Sequence, residues 1–330
     1  MRTLLIVLIF TCSSTTFSQN NLLHNQAIEI LKQQSPDEYQ ILYWYQTTPA
    51  IIEFPGKNNM TWKTQKTGKI DQYLKCNHMS ECLESMSTNV HELNHGISHY
   101  RAYKKLAESK SIKKNHCYNF YIKPNMEFLF NEDIELFPSS SLAPYIDENS
   151  RTFRYSTYIE GNSSTQSNGI LGLLDEYNCY FHSAKTHWEL REAFIKYGRN
   201  PANGYYRWLN TIYSYMTSHW EFQYFIYQYL KLLRSTDYQT YNQLINSTNF
   251  VNIFSNVHHE FNELYETYER ELGSLDKIAN KYGVSLDCNG EWCFLDNQGI
   301  HVTDAERDMI TVLAISPEFR DIRKDLGVKY

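Results

Sequence analysis

The sequence predicts an α+β chain in which a small, mostly antiparallel strand portion is followed by a largely helical C-terminal half. Three observations carry this expectation. Apolar residues recur at three- to four-residue steps through most of 170–282, the period of a helix. Between Cys117 and Phe137 the pattern shifts to short runs rich in aromatic and aliphatic residues, broken by Lys123-Pro124-Asn125, as in a hairpin. Near the C-terminus Asn289-Gly290, a strong turn pair, lies between Cys288 and Cys293.

The 330 residues give ample chain for a sizeable core. Thirty-one basic against 37 acidic residues leave a formal net charge of -6, with no block of Lys and Arg to follow a phosphate backbone. A nucleic-acid partner is therefore not expected. The 27 tyrosines supply rings that bury well while keeping a polar tip, which suits helix packing and groove walls.

In chain order, Met1-Arg2 precedes a short apolar run, Leu4 to Phe10, and Thr16-Phe17-Ser18 offers small residues where a signal peptidase reads. Residues 1–18 are read as a signal peptide and the protein as exported, either secreted or periplasmic. The run is too short for a permanent transmembrane anchor. Lipid attachment at Cys12 is the weaker alternative, because Phe10 and Thr11 make a poor lipidation box. Of seven cysteines, six remain after the leader. Cys76 with Cys82 and Cys288 with Cys293 are plausible disulfides in an oxidising compartment, leaving Cys117 and Cys179 paired or free.

Residues 19–84 are expected to pack on the core as an N-terminal segment. Leu22 to Gln33 reads as an amphipathic helix, with Leu23, Ala27, Ile30 and Leu31 on one side and Pro36 ending it. Ile41 to Tyr45 and Ile51 to Phe54 read as strands or packed loop, and Thr61 to Lys69 as an edge strand or exposed loop. A metal-binding core is expected over 85–200 and a helical subdomain over 201–330. In the core, Tyr118–Ile122 and Met126–Phe130 are expected to form the hairpin, with Ile134–Phe137 a candidate to extend its sheet. Arg151–Tyr158 alternates like a strand, and Gly161–Gly169 is a polar loop. Ile170–His182 is a helix with Leu173, Glu176 and Tyr180 on one face. Trp208, Ile212 and Tyr215, then Phe222, Phe225, Ile226 and Tyr229, then Phe261, Leu264, Tyr265 and Tyr268 are packing stripes. A helix from about Thr303 to Ile315 and a charged tail close the chain.

The chemistry concentrates in Val90-His91-Glu92-Leu93-Asn94-His95-Gly96. On a helix, residues four apart lie one turn apart on one face, so His91 and His95 can share a metal ion. Glu92 sits beside that ion, placed to take a proton from water the ion activates. Zinc suits imidazole ligands. The helix is expected to start between Ser87 and Asn89, where capping residues cluster, and to end near Lys105 in a basic turn. Gly96 costs a helix roughly 1 kcal/mol relative to alanine, which makes sense if another segment approaches closely there. His99 is a turn too far to join the same ion. Downstream, Asp175-Glu176 within an apolar helix calls for compensation, which a metal or a basic partner would supply.

At His91-Glu92-Leu93-Asn94-His95 together with Glu176, the sequence resembles the zincin metallopeptidases, and in particular their glutamate-liganded branch, the gluzincins. The metzincin branch is excluded because position 101, where its third histidine would fall, is Arg. The resemblance implies a zincin-like core: an active-site helix, a small sheet and a second ligand-bearing helix. It implies zinc held by His91, His95 and Glu176 (Asp175 in reserve), with Glu92 as general base in hydrolysis of a peptide or protein substrate. It also implies an oxyanion-stabilising side chain among Tyr177, Tyr180, His182 and His187. The alternative is a non-catalytic exported protein that uses the same scaffold to bind a peptide or glycan.

Overall fold

The computed structural model describes residues 21–161, 163–302 and 305–328. The expected leader and Cys12 lie outside the described residues. The chain is α+β, dominated by helices, with small antiparallel sheets.

Helix α1 (21–34) buries Ala27 and Leu31, as its sequence pattern requires. Pro36 does not simply end it. It opens a second helix, α2 (Pro36–Thr47), at a position where a missing N–H costs nothing. Ile41–Tyr45, expected to be extended, is therefore helical. The buried set Glu38, Ile41, Leu42 and Tyr45 has the three- and four-residue spacing of one helix face, which a period-two strand would split. Strands β1 (Ile51–Pro55) and β2 (Thr61–Gln65) then form an antiparallel hairpin.

Helix α3 (Met79–Ser109) carries the histidine motif and begins well before the expected Ser87–Asn89. Its buried stripe of Met79, Cys82, Leu83, Met86, Val90, Leu93 and Ile97 is continuous, and Cys76–Cys82 is disulfide-bonded across its start. The cap-like side chains serve tertiary contacts instead: Asn89 donates to the Ile70 carbonyl (2.8 Å) and accepts from the Tyr73 amide (3.3 Å). At Gly96 an added Cβ would stand 3.1 Å from the Tyr45 ring, so α2 is the close neighbour that the glycine implied.

Strands β3 (His116–Lys123) and β4 (Met126–Glu132) form the expected hairpin, turning at Asn125 in the left-handed region (φ 64°). Two expected strands are absent. Ile134–Phe137 is irregular, with the Phe137 carbonyl taken by the Tyr229 hydroxyl (2.7 Å). Arg151–Tyr158 turns into a π-helical segment at Ser156–Glu160. Arg154 and Tyr155 are both buried while Phe153 is exposed, so alternation fails where the Arg154 side chain pairs with buried Glu221.

The helical half comprises α4 (Ile170–Glu189), α5 (Arg191–Tyr197), α6 (Pro201–Thr236), α7 (Tyr238–Asn246), α8 (Thr248–Leu272) and α9 (Leu275–Tyr282). Helix α4 packs between α3 and α6, and one apolar core runs from Ala27 through the expected stripes to Leu326. The C-terminal strands β5 (Leu286–Asn289), β6 (Trp292–Leu295) and β7 (Gln298–His301) form a meander, with Cys288–Cys293 disulfide-bonded across β5 and β6. Helices α10 (Ala305–Ala314) and α11 (Arg320–Asp325) follow. No helix among the described residues is long and apolar enough to cross a membrane.

Candidate metal centre

The site forms where α3 and α4 cross side by side in opposite directions. His91 meets Ser183, His95 meets Asp175 and Cys179, and Ser98 meets Asp175. Ser98, Cys179 and Ser183 sit in this seam, where their small side chains let the two helices approach.

Three donor atoms converge. His91 Nε2 and His95 Nε2 are 3.1 Å apart, and Glu176 Oε2 lies 3.4 Å from the first and 3.5 Å from the second. His91 is 8% exposed and Glu176 4%, while His95 is half-buried. The hydrogen bonds fix the tautomers. Ser183 Oγ donates to the Cys179 carbonyl (3.1 Å) and so accepts from His91 Nδ1 (3.2 Å). Asp175 Oδ2 accepts from His95 Nδ1 (2.7 Å), and its other oxygen accepts from Ser98 (3.1 Å). With both rings neutral, both Nε2 atoms are bare lone pairs facing one another and a carboxylate oxygen that makes no hydrogen bond. That arrangement is repulsive unless a cation sits among them. A tetrahedral zinc ion bonded at roughly 2.0–2.1 Å separates its donors by about 3.3–3.4 Å, close to the spacing found here. The donor set therefore fits a divalent metal, and the carboxylate behind His95 is the customary support for a metal-bound imidazole.

Electrostatics agree. Burial would raise the Glu176 carboxyl, yet the imidazoles of His91 and His95 hold it well below its usual range. Burial opposes charge on His95, but the Asp175 carboxylate bonded to its Nδ1 favours it, and the imidazole pKa lies above its ordinary value.

Glu92, next to His91, is half-buried and makes no hydrogen bond or ion pair among the described residues. Of the four oxyanion candidates, only Tyr180 lies at the site, its ring edge-on to His91 at 4.7 Å. Tyr177 bonds buried His219 (2.9 Å), His182 is held between Glu38 and the Tyr121 carbonyl, and His187 bonds the Trp208 carbonyl (2.8 Å). Asp175, the reserve ligand, supports His95 instead. His99 packs against Tyr118 and Tyr103, away from the donors.

Sequence reasoning missed the ring of residues behind Tyr180. Its hydroxyl pairs with that of Tyr158 (3.2 Å), and the Arg154 guanidinium covers its ring at 4.5 Å while forming a buried ion pair with Glu221. The strand pattern of 151–158 concealed these two residues. Ser183 was findable, two turns beyond Glu176 on the same helix face.

Two other groups bring ligand-type atoms together. His95, Asp175 and Cys179 share His95 with the first group, and burial pushes the Cys179 thiol up to about 12, so it offers no ready thiolate. His259, Glu260 and Glu263 lie on the outer face of α8, with Glu260 already paired to Lys123 at 2.5 Å. Compared with known proteins, the chain matches no family model, no curated protein and no solved structure.

Proposed function

We propose that the chain is an exported zinc-dependent metallopeptidase built on a zincin-like core, with α3 as the active-site helix and α4 as the second ligand-bearing helix. The observation that supports this best is the convergence of two imidazole Nε2 atoms and one carboxylate oxygen within 3.1–3.5 Å of one another, beside a glutamate left without a partner among the described residues. His91, His95 and Glu176 would hold a divalent ion, which when bound would supply a Lewis acid for a carbonyl oxygen and lower the pKa of a water towards neutrality.

The chain's own groups do the rest. Glu92 accepts the proton of the attacking water and returns it to the departing amine, a role that requires a carboxylate not already engaged. Tyr180 donates its hydroxyl to the oxygen on which charge develops, and Tyr158 and Arg154 hold it in place. Ser183 and Asp175 keep both imidazoles in the ligating tautomer. Peptide bonds as the scissile group rest on the gluzincin resemblance of the motif. Export rests on the N-terminal sequence, and the two disulfides agree with an oxidising compartment.

The unpartnered Glu92 favours an enzyme over a binding protein, since a scaffold without chemistry gains nothing from it. The test compares zinc-loaded wild type with Glu92→Gln on a mixed peptide library read by mass spectrometry. We expect zinc to be retained and cleavage to fall on the order of 10³-fold in the variant. Equal cleavage by the variant contradicts the assignment of Glu92, and no cleavage by either favours the peptide- or glycan-binding alternative.

A further inference from the structure

Tyr180 touches the metal centre through His91, but the groups that hold its ring and hydroxyl come from outside α3 and α4. The hydroxyl pairs with that of Tyr158 (3.2 Å), and the Arg154 guanidinium covers the ring at 4.5 Å. Both supports are fixed from one point on α6. Glu221, fully buried, accepts from the Arg154 main-chain N–H (3.1 Å) and pairs with its guanidinium. The Arg154 carbonyl in turn accepts from the Tyr158 amide (2.9 Å), where the chain enters the π-helical turn that carries Tyr158. The next residue of α6, Phe222, packs on both tyrosines, its ring 5.2 Å from each.

We propose that Glu221 is a positioning residue for Tyr180: through Arg154 it sets where the tyrosine hydroxyl stands and turns the positive end of a buried ion pair towards it. This role rests on the peptidase reading and deepens it.

Stability alone does not account for the pair. Arg154 is 4% exposed and Glu221 0%, and desolvating two such charges offsets most of the attraction between them. Apolar side chains of similar volume often fill such a site equally well or better. What they cannot supply is direction. The guanidinium is held by Glu221 and by the Ser214 carbonyl (2.7 Å) while it faces the Tyr180 ring. Burial works against its charge, but Glu221 and then Tyr180 outweigh that and keep it above its ordinary range. A cation over a phenol ring favours negative charge on the phenol oxygen, which makes its O–H a stronger donor. Groups fixed in this way need no rearrangement when charge develops on a carbonyl oxygen.

The experiment measures kcat and KM for a peptide that zinc-loaded wild type cleaves, in Arg154→Met/Glu221→Leu, in Tyr180→Phe and in the triple variant. Melting temperature and zinc content are read alongside. Replacing both charges leaves neither buried without its partner, so we expect folding and zinc binding as in wild type. We expect kcat to fall about tenfold in the pair variant with KM unchanged, and on the order of 10²-fold in Tyr180→Phe. The triple variant should be no slower than Tyr180→Phe, because the pair acts only through that hydroxyl. Should the pair variant melt lower or lose zinc, Arg154→Lys, which keeps the charges balanced but lacks the planar fork, takes its place in the same comparison. An unchanged kcat in the folded, zinc-loaded variant, or losses that multiply with that of Tyr180→Phe, overturns the proposal and leaves the peptidase reading standing. A wild type that cleaves no peptide removes that reading, and this role with it.

Discussion

Asp175→Asn perturbs the metal centre without touching a ligand. Asp175 is buried, with one oxygen on His95 Nδ1 at 2.7 Å and the other accepting from Ser98 at 3.1 Å. An asparagine that keeps its carbonyl on Ser98 must turn its NH₂ towards His95. That group donates, so it demands a bare Nδ1 and moves the imidazole proton to Nε2, the atom that should ligate. Loss of such an outer hydrogen bond costs 10- to 100-fold in metal affinity, or about 1.4–2.7 kcal/mol. Competition with a chromophoric chelator, at a pH where the variant retains wild-type circular dichroism, reads the change directly. A zinc affinity within about twofold of wild type would refute the tautomer argument.

Other expectations follow from the same contacts. Burial pushes His187 down to about 4 from an ordinary 6.5, so folding favours its neutral form. Its contribution is complete above pH 6.5 and is lost as pH falls towards 4, by about 3 kcal/mol. The melting temperature should fall across that window, less steeply in His187→Gln, which keeps the donor to Trp208; parallel curves would contradict this. A Cβ at Gly172 would stand 2.0 Å from the Thr165 carbonyl, so Gly172→Ala must shift α4 one turn ahead of Glu176. We expect more than about 1 kcal/mol of lost stability together with weaker zinc binding, and unaltered denaturant midpoints would count against that close contact.

Much of the site was legible because it is local. His91, Glu92 and His95 take their relative placement from helix geometry alone, and Glu176 declared itself as a charge in an apolar helix. The β3–β4 hairpin was readable from its turn and the two disulfides from their spacing. Arg154 and Tyr158 were not readable, because a buried guanidinium paired with Glu221, 67 residues away, overrides the local alternation. Helix α2 was hidden by its short aromatic run, whose three- and four-residue spacing is visible only when Glu38 counts as an inward-facing residue. Glu38 is inward because His182 (2.7 Å) and Lys185 (3.3 Å) pair with it, and both lie on α4. Partners distant in sequence decide such cases.

The metal content of the purified protein tests the central claim most directly. After reconstitution and removal of excess metal, elemental analysis should find about one zinc per wild-type chain and none in His95→Ala, with Glu176→Ala sharply reduced. Equal zinc in all three proteins, or none in folded wild type, would contradict the account.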